Sequence, residues 1–487
     1  MEPDKKYLSE YRLFFENFIC IGDTAEQFPV KLNLYDLNER EITGGIVYWT
    51  IQYLNQKQCP EALQPLLTNR ILDEVQQSCQ KQPVECGFRA SDNVYEPLKL
   101  MQFVTGIVNS ICNQYLDNTL LDLLPPPNCN DFKRYSCTST KNIRRKMEDR
   151  HVALVNLNAT FGLHSASDQF CSFYGVFDGH AGHEAAVYAA AHLPQYLVES
   201  SSYGSNMETA LREAFLKTDE AFVEKSRLEN LRSGTTAVTS ILQPGLLTVA
   251  WVGDSQALLV KEGRVLQIVE PHKPTREDER KRIEDLGGFI IQFGIPRVNG
   301  QLAVSRAIGN INHKPYVSGE PDIKTIRLDG HEDFLILASD GLWDYLSEDH
   351  VATFVYDTIC SNSDNTDICN KITQGLVSLA KQYGSTDNIT VMLVLLKPTK
   401  LLASQQLNLS KKMTNQVTTE NIINNDCNEN INQLNNCTEP NQNDISNLNN
   451  FAEPLHNINC NAPLNNYVTC KDSVGSSTLT SSRDVGK

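Results

Sequence analysis

The chain has 487 residues, more than one ordinary hydrophobic core accommodates, so two or three segments of roughly domain size are expected. Its formal charge of −16 argues against a primary nucleic-acid role, which would show a basic face, and suits a protein that concentrates divalent cations or meets a basic partner. The 14 cysteines are scattered without a Cys-x-x-Cys pair or finger spacing, which disfavours zinc ligation and a small disulfide framework. There is no apolar signal core behind the N-terminus and no run of membrane-spanning length. A cytosolic or nuclear setting with reduced thiols and no membrane partner is therefore the expectation.

From Lys5 to Ile21, the residues Leu8, Tyr11, Phe14, Phe15, Phe18 and Ile19 recur at helical spacing. A second helical pattern runs from Asp36 to Leu54 on Ile42, Ile46, Trp49 and Tyr53. A third runs from Tyr95 to Leu124 on Met101, Val104, Ile107, Val108, Ile111 and Tyr115. Residues 1–125 thus read as a helical region of its own. A structural core explains its stripes more simply than a protein partner does, although partner binding stays open. Pro125-Pro126-Pro127 closes it, because prolines end helices and stiffen a linker, here residues 126–134.

Between residues 135 and 398 the character changes. Strands are expected at Val152–Asn156, Phe170–Phe177, Thr235–Leu242, Leu247–Val252, Ala257–Val260, Phe334–Ala338 and Ile389–Leu396. Helices are expected at Ala181–Leu197, Met207–Lys225, Arg276–Leu286, Glu348–Ile359 and Asp367–Tyr383. Two helices follow one strand and several strands have short connections, a pattern of α+β with antiparallel sheets beneath helices. Residues 399–487 are rich in Asn and Ser and poor in large apolar residues, so they read as a disordered tail.

An acid recurs at the margins of these strands. Asp178 follows Val176-Phe177, Asp254 follows Val252-Gly253, and Asp340 follows Ala338-Ser339. Glu148-Asp149 precedes the strand at Val152, and Asp387 precedes the one at Ile389. Any one of these could be a turn residue or a helix N-cap. Pooled along one edge, however, they would repel in a poorly solvated cleft, and hard oxygen-seeking ions, magnesium or manganese, would relieve them. Two such ions sharing a water make a nucleophile suited to phosphoryl transfer. Arg144-Arg145-Lys146, just before the first acids, supplies cations for phosphate, and His180 lies close enough to Asp178 to act as a general acid.

Together these residues resemble the metal-dependent protein phosphatase family, protein phosphatase 2C. The matching stretches, in family order, begin with Arg144-Arg145-Lys146-Met147-Glu148-Asp149, Val176-Phe177-Asp178-Gly179-His180, Ser233-Gly234-Thr235-Thr236-Ala237 and Gly253-Asp254-Ser255. They continue with residues 299–307, Ser339-Asp340-Gly341-Leu342-Trp343-Asp344 and Ser385-Thr386-Asp387-Asn388-Ile389-Thr390. The resemblance implies a four-layer α-β-β-α sandwich with two magnesium or manganese ions at one end. It implies hydrolysis of phosphoserine and phosphothreonine by a hydroxide bridging those ions, without a covalent phosphoenzyme. Asp178 would bridge the ions, the Gly179 carbonyl, Asp340 and Asp387 would be direct ligands, and Glu148 and Asp149 would hold metal-bound waters. Arg144 would bind phosphate, His180 would be the general acid, and Asp254 would belong to a weaker third ion. Residues 145–151 and 314–320 further resemble the branch that acts on calmodulin-dependent and p21-activated kinases, which makes phosphorylated kinases the expected partners.

Three positions depart from the family pattern: Ala181 where Gly is frequent, Asn310 for Asp, and Gln256 for Arg. Ala181 is harmless at negative φ and strained at positive φ. Two rival readings exist. One is a catalytically impaired adaptor on the same fold. The other is a serine hydrolase built on Gly253-Asp254-Ser255-Gln256-Ala257, which lacks the final glycine and the helix that a nucleophile elbow requires.

Overall fold

The computed structural model describes residues 6–20, 35–126, 135–163, 170–362 and 367–405. Two five-stranded antiparallel sheets form its centre. One runs in the order Asp322–Arg327, Leu246–Val252, Ala237–Gln243, Ser172–Phe177, Arg150–Leu154. The other runs Arg264–Gln267, Gln256–Lys261, Glu332–Ala338, Ile389–Leu395, Tyr135–Thr140. Because successive strand residues face opposite sides, each central strand contributes to two cores. Tyr174, Val176, Val249 and Trp251 of the first sheet meet Leu259, Leu335, Leu337 and Met392 of the second between the layers.

The alternate residues face helices. Leu258, Val260, Ile336 and Leu393 pack under the helices Glu348–Ser361 and Ile368–Gln382. Phe173, Phe177, Ile241 and Val252 pack under Glu184–Glu199 and Met207–Glu229. The α-β-β-α sandwich expected from the sequence is thereby present. The central strands Ser172–Phe177, Glu332–Ala338 and Ile389–Leu395 are buried throughout, which is why they read as continuous apolar runs.

The N-terminal helices Lys6–Cys20, Ile42–Gln56, Gln64–Lys81 and Pro97–Gln114 continue the layer outward. Phe15, Ile46, Trp49, Leu67 and Met101 belong to the same buried cluster as Ala185, Tyr188 and Leu193. The helical region is thus fastened to the sandwich by a shared core. The Gly44 amide donates to Gln195 Oε1 at 2.9 Å across this boundary. The helix Gln64–Lys81 was not among the expected elements, although Leu67, Ile71, Leu72, Val75 and Cys79 form its buried stripe.

At the other end, residues 399–405 are helical, with Leu402 and Ala403 buried in the core beneath the second sheet. The ordered sandwich therefore reaches at least residue 405, past the boundary expected at 398, because two apolar residues continue into a helical turn. The rest of the expected tail, and linker residues 127–134, lie outside the described residues. Among the described residues no helix is long and apolar enough to cross a membrane.

Candidate active site

The strand-margin acids meet at one end of the sandwich. Asp178, Asp254, Asp340, Asp387 and Glu148 line one cleft of about 690 Å³ together with Arg144, Arg145, Lys146, Gly179 and His180. Each acid is delivered by a strand whose own register is fixed. Asp178 leaves Ser172–Phe177, which is buried throughout, and its carbonyl accepts from Thr236 N at 2.9 Å and Thr235 Oγ1 at 3.0 Å. Asp340 begins a single helical turn after Glu332–Ala338, and Asp387 is followed after one residue by Ile389–Leu395.

Two glycines let these chain segments close up. A Cβ on Gly179 would lie 2.6 Å from the Glu148 carbonyl oxygen, and one on Gly341 only 2.0 Å from that of Asn388. The Asp-Gly pairs are therefore spacing devices: the acid faces the cleft while its neighbour admits another backbone. Asn388 pins the basic loop in the same way. Its Oδ1 accepts from Glu148 N at 2.7 Å, and its Nδ2 donates to the carbonyls of Lys141 and Lys146 at 3.0 Å.

Asp149 lies beneath the cleft, 2% exposed. Its Oδ2 accepts from Ser339 Oγ at 2.9 Å and Thr390 Oγ1 at 2.8 Å, while its Oδ1 is buried with no donor among the described residues. Burial, followed by the charges of neighbouring acids, pushes the carboxyls upward. The Asp149 carboxyl rises to about 6 through burial and the Asp387 charge, against the hydroxyl hydrogen bonds. That of Asp340 rises to about 8 through burial and then Asp254, Asp344 and Asp387. Asp178 is raised well above the usual range by burial, Asp340, Asp149 and Asp254.

Such a cluster demands positive charge, and its all-oxygen donor set fits hard divalent ions rather than zinc. The orphaned Asp149 Oδ1 fits a further donor from that side. Among the described residues no three acidic, His or Cys side chains are drawn together into a ready-made chelate.

Two cations already answer part of the demand. Arg144 pairs with Asp387, and Lys273 Nζ holds Asp254 Oδ2 at 2.5 Å. Lys273 carried no signal in the sequence, because nothing in its spacing ties it to Asp254. Asp344 was also missed. Its carboxyl is raised by burial and by Asp254 and Asp387, against the pull of Lys273. Its position four residues after Asp340, with its amide on the Asp340 carbonyl at 2.9 Å, was a signal that could have found it.

The three departures now have places. Ala181 has φ +57, the strained alternative, on the wall of the cleft. Asn310 is the partner of His180, with Oδ1 2.9 Å from its Nε2, and burial holds that imidazole's pKa below the ordinary value. Gln256 opens the strand Gln256–Lys261, opposite Ala338. That strand also removes the serine-hydrolase geometry: Ser255 is fully buried, with its Oγ 2.7 Å from Thr236 Oγ1.

An acid-lined, cation-demanding cleft at one end of a four-layer sandwich defines a class of metal-dependent hydrolase sites. The sequence profile described as Protein phosphatase 2C matches residues 133–389, and the chain belongs to that family of metal-dependent serine/threonine phosphatases. It is 39% identical to mouse "Protein phosphatase 1E" over 366 residues, 74% of this chain but 47% of that one. It is 35% identical to mouse "Protein phosphatase 1F" over 402 residues, 80% of this chain and 87% of that one. The chain thus spans about half the length of the first relative and most of the second. In fold it is similar to a solved structure titled "Structure of a C.elegans sex determining protein", with a TM-score of 0.63 at 22% identity, covering 83% of this chain and 97% of that one. That likeness of fold covers a larger share of the chain than residues 133–389.

Proposed function

We propose that this chain is a protein serine/threonine phosphatase that hydrolyses phosphoserine and phosphothreonine by direct attack of water on phosphorus. The observation that carries the reading is the gathering of Asp178, Asp340 and Asp387 in one cleft with Arg144 and His180. Two magnesium or manganese ions, when bound, supply the charge that acidifies water and screens the phosphate oxygens. Asp178, in the field of both Asp340 and Asp149, is suited to serve both ions. Asp340, Asp387 and the Gly179 carbonyl would also hold these ions, while Glu148 and Asp149 would hold their waters. Asp254 is left to a weaker third ion, in competition with Lys273. Arg144 exchanges Asp387 for the phosphate, which a guanidinium grips bidentately. His180 protonates the departing serine or threonine oxygen.

Phosphorylated protein kinases of the calmodulin-dependent and p21-activated kinds are the substrates we propose, supported by the likeness of residues 145–151 and 314–320 to that branch. Phosphothreonine peptides and manganese test the reaction itself, with the chain freed of contaminating phosphatases. We expect EDTA-sensitive turnover, abolished by Asp178→Ala and impaired mainly through KM by Arg144→Ala. Phosphopeptides left intact would leave the fold as a binding scaffold, and near-normal turnover by Asp178→Ala would reject the metal assignment.

A further inference from the structure

A two-stranded hairpin, Ile290–Phe293 and Ile295–Val298, stands at the edge of the cleft. Its register pairs Ile290 with Val298, Ile291 with Arg297, Gln292 with Pro296 and Phe293 with Ile295. Directly opposed residues of an antiparallel pair share a face, so Ile290, Val298, Gln292 and Pro296 occupy one side. That side is anchored. Val298 is buried with Ile283, Val304, Ala307 and Val317, and Ile290 packs against them. Ile291, Phe293, Ile295 and Arg297 therefore occupy the other side.

This second face inverts what solvent would select. Ile291 is 46% exposed, Phe293 76% and Ile295 51%. A two-stranded ribbon with one packed side ordinarily shows polar residues on the other, and a contiguous apolar patch on a soluble surface marks an interaction site. The patch is continuous with the cleft, because Ile295 and Arg297 line both. Whatever enters the cleft meets Arg144, Arg145 and Lys146, which are exposed cations in an otherwise acidic protein. On the phosphatase reading the occupant carries a phosphate, which these three cations at the cleft meet, and the hairpin assigns it an apolar group beside that phosphate. Phe293, directly across from Ile295, has its Cβ only about 5 Å away. At about 3.3 Å per extended residue, a side chain a few positions from the anion reaches it.

We propose that the Ile291–Phe293–Ile295 face is the docking surface for the phosphoprotein substrate, and that it selects a bulky apolar side chain within roughly four residues of the phosphorylated one. This rests on the phosphatase reading above and deepens it by naming the substrate class. The hairpin is a preformed platform: its anchored side holds it in place, and Phe289 N and Asn299 Oδ1 close its root at 3.0 Å. The phosphate fixes the register, and the apolar contact adds discrimination among phosphosites that the cations treat alike.

The test uses the full chain with manganese and two kinds of substrate. One is p-nitrophenyl phosphate, which is too small to reach Phe293. The other is a phosphothreonine peptide set with a single leucine moved from four residues before to four residues after the phosphoresidue, beside a leucine-free parent. At one or more positions the leucine should raise kcat/KM about tenfold, chiefly through KM. Phe293→Ser and Ile291→Ser should each erase that gain and leave p-nitrophenyl phosphate turnover unchanged, which also reports correct folding. A leucine gain that survives in both variants, or the absence of a gain at every position, would overturn the docking surface while the phosphatase reading stands. A rise in turnover of all substrates in the variants would mean that a segment of the chain itself covers the hairpin, and would overturn it as well. Failure of the unaltered chain to hydrolyse p-nitrophenyl phosphate would overturn the phosphatase reading, and the docking surface with it.

Discussion

His180 Nε2 and Asn310 Oδ1 lie 2.9 Å apart across 130 residues of sequence. The two are brought together by the small sheet in which Gly179-His180 and Ile308-Gly309 flank Gly234-Thr235. Asn310 is 3% exposed and has φ +52, a left-handed conformation that Asn tolerates better than most residues. Its carboxamide oxygen accepts the Nε2 proton and thereby fixes the imidazole ring.

With His180 as proton donor in the proposed reaction, Asn310→Ala frees the ring and should lower kcat about tenfold or more, the lower range for a displaced general acid. KM for p-nitrophenyl phosphate should change little, because Asn310 does not line the phosphate loop. Asn310→Asp keeps an acceptor at the same place and should restore most of the loss. Steady-state kinetics of the three proteins on a phosphothreonine peptide, whose alkoxide leaving group needs the proton that p-nitrophenolate does not, decide it: an Asn310→Ala enzyme with unaltered kcat on that peptide would mean that ring orientation is immaterial.

Ala181 stores strain beside this pair. A β-carbon at φ +57 costs about 1–2 kcal/mol, and glycine there would be strain-free but more disordered when unfolded. The difference predicts that Ala181→Gly stabilises the protein by about 0.5–1 kcal/mol, read as a higher urea midpoint with the slope unchanged. A lower midpoint would show that the cleft wall uses the methyl group for packing.

The primary acids were legible because they stand where a continuous buried apolar run starts or stops, and a carboxylate at that point is conspicuous in any sequence. Asn310 was visible as a departure but not as the partner of His180, since the contact is made by a sheet of three two-residue strands. The strand Tyr135–Thr140 escaped notice because its residues are mostly polar. Ser136 and Thr138 find their partners on Thr373 of the helix above, at 3.1 and 2.8 Å. The apolar stripes of residues 1–125 reported that helices are buried, but a stripe does not state against what. The shared core with Glu184–Glu199 is a tertiary fact.

Below the hairpin a charged cluster sets an acid limit. Glu279 is 1% exposed and accepts from Arg306 Nη2 at 2.7 Å and Arg282 Nη2 at 2.8 Å. Burial alone would raise its carboxyl, but the hydrogen bonds from Arg282 and Arg306 prevail and hold it at about 2. The folded value lies below the unfolded one, so this stabilisation is present above about pH 4.5 and is lost as pH falls toward 2. The shift corresponds to at most about 3 kcal/mol. Glu279→Gln should therefore be destabilised near pH 6, and its gap to the unaltered protein should shrink by roughly half or more near pH 3. Urea melts at the two pH values measure this, and a gap independent of pH would place the effect in packing. The raised acids of the cleft act in the opposite sense, but they are common to both proteins and cancel in the comparison.

The joint between the N-terminal helices and the sandwich turns on one buried ion pair. Glu41 is 2% exposed. It accepts from Tyr188 OH at 2.9 Å, and its Oε2 lies 2.9 Å from Lys225 Nζ, itself nearly buried. Lys225 also donates to the Asp36 carbonyl at 2.6 Å and approaches Glu229 at 3.8 Å, so the ammonium is held mainly by the N-terminal segment. Removing one partner of a buried pair leaves an uncompensated charge, which costs about 3–5 kcal/mol. Glu41→Ala should lose about that much, whereas Glu41→Ala with Lys225→Met, which removes both charges and refills the volume, should recover most of it. Because Phe15, Trp49 and Met101 share a core with Tyr188 and Leu193, deleting residues 1–125 should expose the Glu184–Glu199 helix and yield an aggregating or unfolded sandwich. Chemical denaturation of the point variants and solubility of the truncated chain are the measurements. A soluble truncation with an unchanged melting midpoint, or a Glu41→Ala protein as stable as the parent, would show that the helical layer rests on the sandwich without supporting it.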